Sequence, residues 1–380
     1  MTEEKKDYRQ TEIGLIPEDW EVETVGEAFE IKNNLRLPIS RNVRKSMQGK
    51  YPYYGPTGIQ DYIDEYRVEG KHALIGEDGD HFLKWDSMSM TLLVEGKFNV
   101  NNHAHIVKGV KNLTEWFYYF FGHRDLTSHL KRQGAGRYKL NKSTLIELPC
   151  AVPPLTEQEA ITNALSDVDD LIRSLDLLIQ KKEAIKKGSM QLLLTGKTRL
   201  PGFDGEWEVK TLEDVLNYEQ PPKYIVKADI EDQEVGVPVL TANKSFILGY
   251  TTETFGVYTD TPVVVFDDFT TLSKYVDFNF KIKSSAIKLL KPKSSAVNLR
   301  FIYELIQILK FSTGDHKRYY ISEYQHIEIE LPPKGEQDAI VEILSDMDLE
   351  LQTLRQKREK YKQVKQGMMQ ELLTGKTRLV

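Results

Sequence analysis

Residues 153–200, PPLTEQEAITNALSDVDDLIRSLDLLIQKKEAIKKGSMQLLLTGKTRL, return at 332–379 as PPKGEQDAIVEILSDMDLELQTLRQKREKYKQVKQGMMQELLTGKTRL. The alignment needs no gap, and about half of the positions are identical. A duplication of this length forces a twofold plan on whatever the chain folds into. Weaker echoes stand before each copy. DWEVETVGEAF (19–29) answers EWEVKTLEDVL (206–216), and GRYKLNKSTLIELPCAVPP (136–154) answers KRYYISEYQHIEIELPP (317–333), two residues shorter. Between these anchors the halves diverge. The expected organisation is a variable domain (1–152), a constant helix (153–197), a linker and second variable domain (198–331), and a second constant helix (332–380).

The constant segments read as long helices. Ile161, Leu165, Val168, Ile172, Leu175 and Ile179 step by four and three, as do Ile340, Leu344, Met347, Leu351 and Leu354, with Tyr361, Met368 and Leu372 in phase. That is a narrow heptad seam, suited to pairing one helix with another. Thr156 with Glu159 suggests a capping box after Pro153 and Pro154. A helix of about 38 residues would be roughly 57 Å long, enough to hold two domains apart. The string LLTGKTRL (193–200 and 372–379) is not a phosphate-binding loop, because Gln191 and Gln370 stand where the first glycine of such a loop belongs. It reads instead as a helix exit, with Gly196 and Gly375 as C-caps.

The variable segments read as mixed α/β. Short strand-like pieces (51–63, 72–83, 237–250, 262–269) are broken by Gly and Pro, and each segment ends in an aromatic helix, TEWFYYFFGHR (114–124) or RFIYELIQILKF (300–311). Composition sets the outer bounds. With 40% hydrophobic and 28% charged residues the chain is ordinary globular material, and WFYYFF (116–121) is too short to span a bilayer. The single cysteine, Cys150, excludes an internal disulfide and a cysteine-built zinc site. A polar start, MTEEKKDYRQ, points to a cytoplasmic protein.

Catalytic motifs are missing. An amino-methyltransferase needs an N-P-P-aromatic tetrapeptide, and QPPKY (220–224) does not supply one. His103 and His105 in NNHAH lack a third ligand at a supporting spacing, so no metal is expected. Nucleic-acid binding is better supported. The net charge of −6 conceals basic blocks at 31–50, 131–142 and 281–300, with six, five and six Lys or Arg and no acidic residue. One contains the pair Arg137–Tyr138 and another comes before Arg318–Tyr319, and they mix cations with amides and aromatics as DNA contacts do.

Together these features resemble the specificity subunit of type I restriction–modification systems. The resemblance is carried by the two constant helices, by the entries GLIPEDWEV and GEWEV, by YPYYGPTGIQDYIDEY, LIGEDG and NNHAHIV, and by VLTANKSFILGYT with VVFDDFTT. It implies two globular target recognition domains of α+β type, separated by an antiparallel coiled coil with pseudo-twofold symmetry. Each domain would read one half of a split, asymmetric DNA target, with the helices setting the gap. Its implied partners are double-stranded DNA, two modification (methyltransferase) subunits that carry S-adenosylmethionine, and restriction/motor subunits. The chain itself would be non-catalytic, without cofactor. Candidate base-reading residues are Tyr53, Tyr54, Thr57, Gly58, Asn101, Asn102, His103, Arg137 and Tyr138 in the first domain. In the second they are Thr241, Asn243, Lys244, Lys317, Arg318 and Tyr319.

Overall fold

The computed structural model describes residues 8–133, 137–232, 235–241, 246–312 and 317–379. Both constant segments are single helices, Leu155–Leu193 and Lys334–Leu372. The compact units do not follow the linear order of domains, however. One comprises the chain up to Leu175 together with everything from Lys357 onward; the other is Asp176–Gln356. Each long helix therefore gives its first half to one unit and its second half to the other.

In the first unit a four-stranded antiparallel sheet runs in the order Phe29–Ile31, Ala104–Gly109, His72–Gly76, Thr91–Val94. The aromatic helix Thr114–Gly122 covers it, burying Trp116, Phe117, Tyr119, Phe120 and Phe121. A second sheet has the order Ile59–Ile63, Gln48–Tyr54, Lys97–Val100, Val68–Glu69, with one parallel pairing, Asn99 opposite Tyr53. The second unit repeats this plan. Its main sheet is Leu216–Glu219, Ile287–Pro292, Val263–Asp267, Ser273–Val276, under helix Leu299–Ile308. Its smaller sheet is Ile247–Thr251, Val237–Leu240, Lys281–Ile282, again with one parallel pairing, Val239 opposite Lys281. The common fold survives the loss of identity because period-two apolar strands and turn residues suffice to encode it.

The sequence echoes at 19–29 and 206–216 form the same device twice. Strand Glu21–Thr24 pairs with Pro149–Val152, and Glu208–Thr211 pairs with Glu328–Leu331. Each ribbon ties the entry of a domain to the residues just before its long helix. Each is followed by one helical turn with a capping box, Thr24 with Glu27 and Thr211 with Asp214.

The heptad seam is the buried face. Ile161, Leu165 and Leu372 join the core of the first unit, with Met368 and Met369 packed against it. Ile340, Leu344, Leu193 and Leu194 join that of the second, with Met190 and Met347 alongside. Ion pairs flank the seam, Lys365–Asp169 at 2.6 Å in the first unit, Lys182–Glu350 at 2.7 Å and Lys186–Asp348 at 2.5 Å in the second. In the second unit the paired numbers rise on one helix as they fall on the other, so those helix segments run antiparallel.

One expectation is corrected at the helix start. Thr156 and Glu159 form no capping box, because the helix already begins at Leu155 and the Pro154 carbonyl accepts from Gln158 N–H at 3.0 Å. The residues that matter are the next pair, Glu157–Gln158 and its copy Glu336–Gln337, all four fully buried. Gln158 receives Leu113 N–H at 3.0 Å and donates to Pro153 O at 2.9 Å; Gln337 receives Asn298 N–H at 2.7 Å and donates to Pro332 O at 2.8 Å. Both glutamines thus hold the turn that leads into the aromatic helix.

The glutamates explain the repeated LLTGKTRL. Gly375 (φ +70°) and Gly196 (φ +65°) end the helices in the left-handed region, and the turn beyond carries an arginine back. Arg378 meets Glu157 at 2.5 and 2.7 Å and Asp19 at 2.7 Å, while the Trp20 indole N–H donates to the same Glu157 at 2.8 Å. In the second unit Arg199 meets Glu336 at 2.7 Å through two nitrogens, and the Trp207 indole donates to Glu336 at 3.0 Å. The end of each long helix is thereby clamped to the start of the other. The Glu157 carboxylate holds the Arg378 guanidinium still more firmly in its charged form.

Candidate nucleic-acid interface

In the first unit the central strand His72–Gly76 runs out into Glu77–Gly79, and the neighbouring segments close on that turn. Glu77 N–H donates to His103 O at 2.8 Å, Leu140 N–H to Glu77 O at 2.8 Å, and Gly79 N–H to Tyr138 O at 3.2 Å. The Glu77 carboxylate takes Arg36 at 2.8 Å and Lys139 at 3.4 Å. Beside it, the Gly55–Gly58 turn is closed at 2.8 Å, and Asn101 N–H reaches Tyr54 O at 2.9 Å. This brings Thr57, Gly58, Asn102, His103 and Tyr138 to one edge of the unit. Thr57, Asn102 and His103 are exposed there, and His103 pairs with Asp78 at 2.8 Å.

Three first-domain candidates are corrected or reduced. Tyr53 is fully buried with Leu37 and Ile63, its hydroxyl donating to Leu37 O at 2.6 Å, so it is core and not a base reader. Asn101 is buried and is spent on Gln60 (3.1 Å) and His103 N–H (2.8 Å), shaping the turn that presents its neighbours. Tyr54 is half-buried, edge-on to Phe98. Arg137 lies in the strand Arg137–Lys139; its side chain is outside the described residues.

His103 and His105 do not act together. His103 is exposed in the turn before the strand Ala104–Gly109, whereas His105 lies within that strand and is wholly buried. Its Nε2–H donates to Leu140 O at 2.7 Å while Nδ1 accepts from Arg36 at 2.7 Å and Asn33 at 2.9 Å. Burial pushes its pKa down to about 4, so the ring is a neutral strut. Among the described residues no group of three or more His, Cys, Asp or Glu could hold a metal ion.

The second unit builds the same edge from different letters. Ala104 stands opposite Gly76 and Ile287 opposite Asp267, so Asp268 takes the place of Glu77 and Lys288 that of His105. Asp268 is buried, meets Lys288 at 3.1 Å, accepts Tyr320 N–H at 2.8 Å and, through its carbonyl, Tyr319 N–H at 2.9 Å. This last bond matches Leu140 N–H to Glu77 O, so the Arg-Tyr pairs of the two halves are out of register by two residues. Tyr319 occupies the place of buried Leu140, and it is itself buried (3% exposed), edge-on to Phe311. It is therefore a core residue, and Arg318 stands where Lys139 does. Thr241 is buried at the end of its strand. Lys317 and Arg318 are exposed, Lys317 paired with Glu323. Asn243 and Lys244 lie outside the described residues.

Four of the six cations in the basic block 281–300 are spent within the unit, and Lys283 and Lys293 are exposed. Lys281 is buried against Glu253 (2.9 Å), Lys288 against Asp268 (3.1 Å), Lys291 meets Asp260 (2.8 Å) and Arg300 meets Glu304 (2.8 Å). The carboxylates lie far off in sequence or on the next helical turn, so a linear charge count could not see them. In the block 31–50, Arg36 and Arg44 are likewise paired, whereas Arg41, Lys45 and Lys50 are exposed.

Comparison with known proteins agrees with this repeated architecture. The family model described as type I restriction modification DNA specificity domain matches twice, at residues 17–187 and 204–363. The EcoR124I/EcoR124II specificity subunit of Escherichia coli is 46% identical over 138 residues, a stretch that covers 35% of this chain and 34% of that one. A putative type I restriction enzyme specificity subunit of Haemophilus influenzae is 28% identical over 351 residues, covering 85% of this chain and 86% of its own. Among solved structures, the type I restriction–modification S subunit from M. genitalium superposes with a TM-score of 0.67 at 15% identity, over 93% of this chain and 96% of the other. That likeness is one of fold.

Proposed function

This chain belongs to the type I restriction–modification DNA specificity family, and we propose that each of its two units reads one half of a split DNA target. The observation that carries this reading is the matched edge. Glu77–Gly79 and Asp268–Thr270 leave equivalent strands and are tied to equivalent segments, with a paired carboxylate first in each, Glu77 or Asp268, and an unrelated side chain next, half-buried Asp78 in one and exposed Phe269 in the other. A rigid frame with interchangeable surface residues is what direct readout of two different half-sites requires. His103, Asn102 and Thr57 serve the first half-site; Arg318 and Lys317 serve the second.

The long helices set the gap and receive two modification subunits, which bring S-adenosylmethionine and the base-flipping chemistry. Restriction/motor subunits complete the assembly for cleavage. In this scheme the chain performs no chemistry and works in the cytoplasm on double-stranded DNA. Partners then share the phosphate contacts, which accommodates a net charge of −6. Among the described residues no helix is long and apolar enough to cross a membrane.

The test is co-expression with the modification subunit and mapping of methylated positions by single-molecule sequencing. A two-part asymmetric motif with a fixed gap, lost when this chain is omitted, is the expected result. Methylation unchanged without this chain refutes the proposal. Arg137→Ala and Arg318→Ala should each relax only their own half-site, and a variant that leaves affinity and half-site preference intact removes that residue from the reading set.

A further inference from the structure

Phe269 is an aromatic ring placed in water by a turn that is built with care. Asp267 staples the turn, its Oδ1 accepting Phe269 N–H at 2.8 Å and Thr270 N–H at 3.3 Å, its carbonyl accepting Thr271 N–H at 2.9 Å. Asp267 N–H closes the hairpin on Leu272 O at 2.8 Å. The next residue, Asp268, is anchored inward on Lys288 and Tyr320 N–H. Thr271 is held at φ +58°, a left-handed conformation that a β-branched residue adopts only at a cost. The result is a rigid projection carrying two apolar side chains outward, Phe269 (40% exposed) and Leu272 (55% exposed). The Arg318 guanidinium lies 5.8 Å from the Phe269 ring centroid, and Lys317 is exposed one residue earlier.

By the strand register, Phe269 takes the place that Asp78 holds in the first unit. There a carboxylate pairs with His103; here the same position on the reading edge is apolar, with the Arg318 guanidinium beside it. The exposed cation suits a polyanion. An apolar ring next to it suits the one apolar group on a major-groove base edge, the thymine 5-methyl. Phe269 is also more than half covered, so its ring offers a surface to touch and too little reach to unstack two base pairs, which a wedge must do.

We propose that Phe269, with Leu272 beside it, is a specificity-determining contact to a thymine methyl group in the half-site read by the second unit, with Arg318 holding the adjoining backbone. The inference rests on the reading of this chain as a two-domain DNA reader.

The experiment uses the assembled complex of this chain with its modification subunit, on DNA carrying the mapped target. Each thymine of the second half-site is replaced singly by uracil, which lacks only the methyl. For the unaltered complex one such position should weaken binding, by about fourfold for a single methyl group. Phe269→Ala should weaken binding to the normal site by at least as much and lose its sensitivity to uracil at that position alone. Phe269→Leu should keep part of both. First half-site discrimination should be unchanged in all variants, which also reports that they are folded. If the unaltered complex discriminates its target but Phe269→Ala matches it at every uracil, this inference fails and the two-domain reading stands. If Phe269→Ala loses affinity without coupling to any thymine, the methyl contact is likewise refuted. If the unaltered complex shows no sequence preference, both fall together.

Discussion

Replacing Arg378 by alanine isolates the clamp that joins the end of one long helix to the start of the other. Glu157 is fully buried, and its two carboxylate oxygens accept three bonds, two from Arg378 and one from the Trp20 indole. Arg378→Ala leaves a buried carboxylate with a single neutral donor. Breaking a buried pair from one side costs about 3–5 kcal/mol, most of it the penalty of the stranded charge. Asp19, half-exposed, adds little to that sum. Glu157→Gln in the same chain should restore about 2 kcal/mol, because a neutral amide has no charge to strand. Arg199→Ala should cost less than Arg378→Ala, since Arg199 is 30% exposed and water can reach the gap it leaves. The assay is hydrogen exchange of the first turns of the helix Leu155–Leu193, compared with those of Lys334–Leu372. Arg378→Ala should release protection in the first and spare the second; Arg199→Ala should do the reverse. A loss below about 0.5 kcal/mol for Arg378→Ala, or no recovery in the double variant, would refute the clamp.

The same clamp makes the two C-cap glycines unequal. A Cβ on Gly375 would lie 2.5 Å from Pro17, whereas on Gly196 it meets Trp207 at an ordinary 3.5 Å. Gly196→Ala should cost about 1 kcal/mol for the left-handed backbone alone, and Gly375→Ala clearly more, as read from urea unfolding midpoints; equal losses would refute the packing argument. His105 sets a pH dependence. Its folded-state pKa lies near 4, below the unfolded value of 6.5, so its contribution is complete above pH 6.5 and is lost as the pH falls toward 4. Between pH 7 and pH 5 the chain should lose about 2 kcal/mol more stability than His105→Gln. Parallel unfolding curves for the two would show that the ring is not held neutral.

What the sequence determined by itself was everything carried by local period and by repetition. The twofold plan, the two long helices, the seam through Ile161, Leu165, Ile340 and Leu344, and the glycine exits are all short-range patterns, and all stand in the structure. The family was legible for the same reason. Tertiary structure decided which cations are available, because the partners of Lys281 and Lys288 come from elsewhere in the chain. It decided that the Arg-Tyr pairs are out of register, because the Leu140 and Tyr319 backbone bonds fix the alignment and the letters do not. It put Tyr53 in the core, since strand alternation has two faces and burial on one depends on what packs there. Above all it showed why LLTGKTRL occurs twice. The arginine of each copy answers a buried glutamate 137 or 221 residues away in the chain, a pairing that only long-range closure of each unit creates.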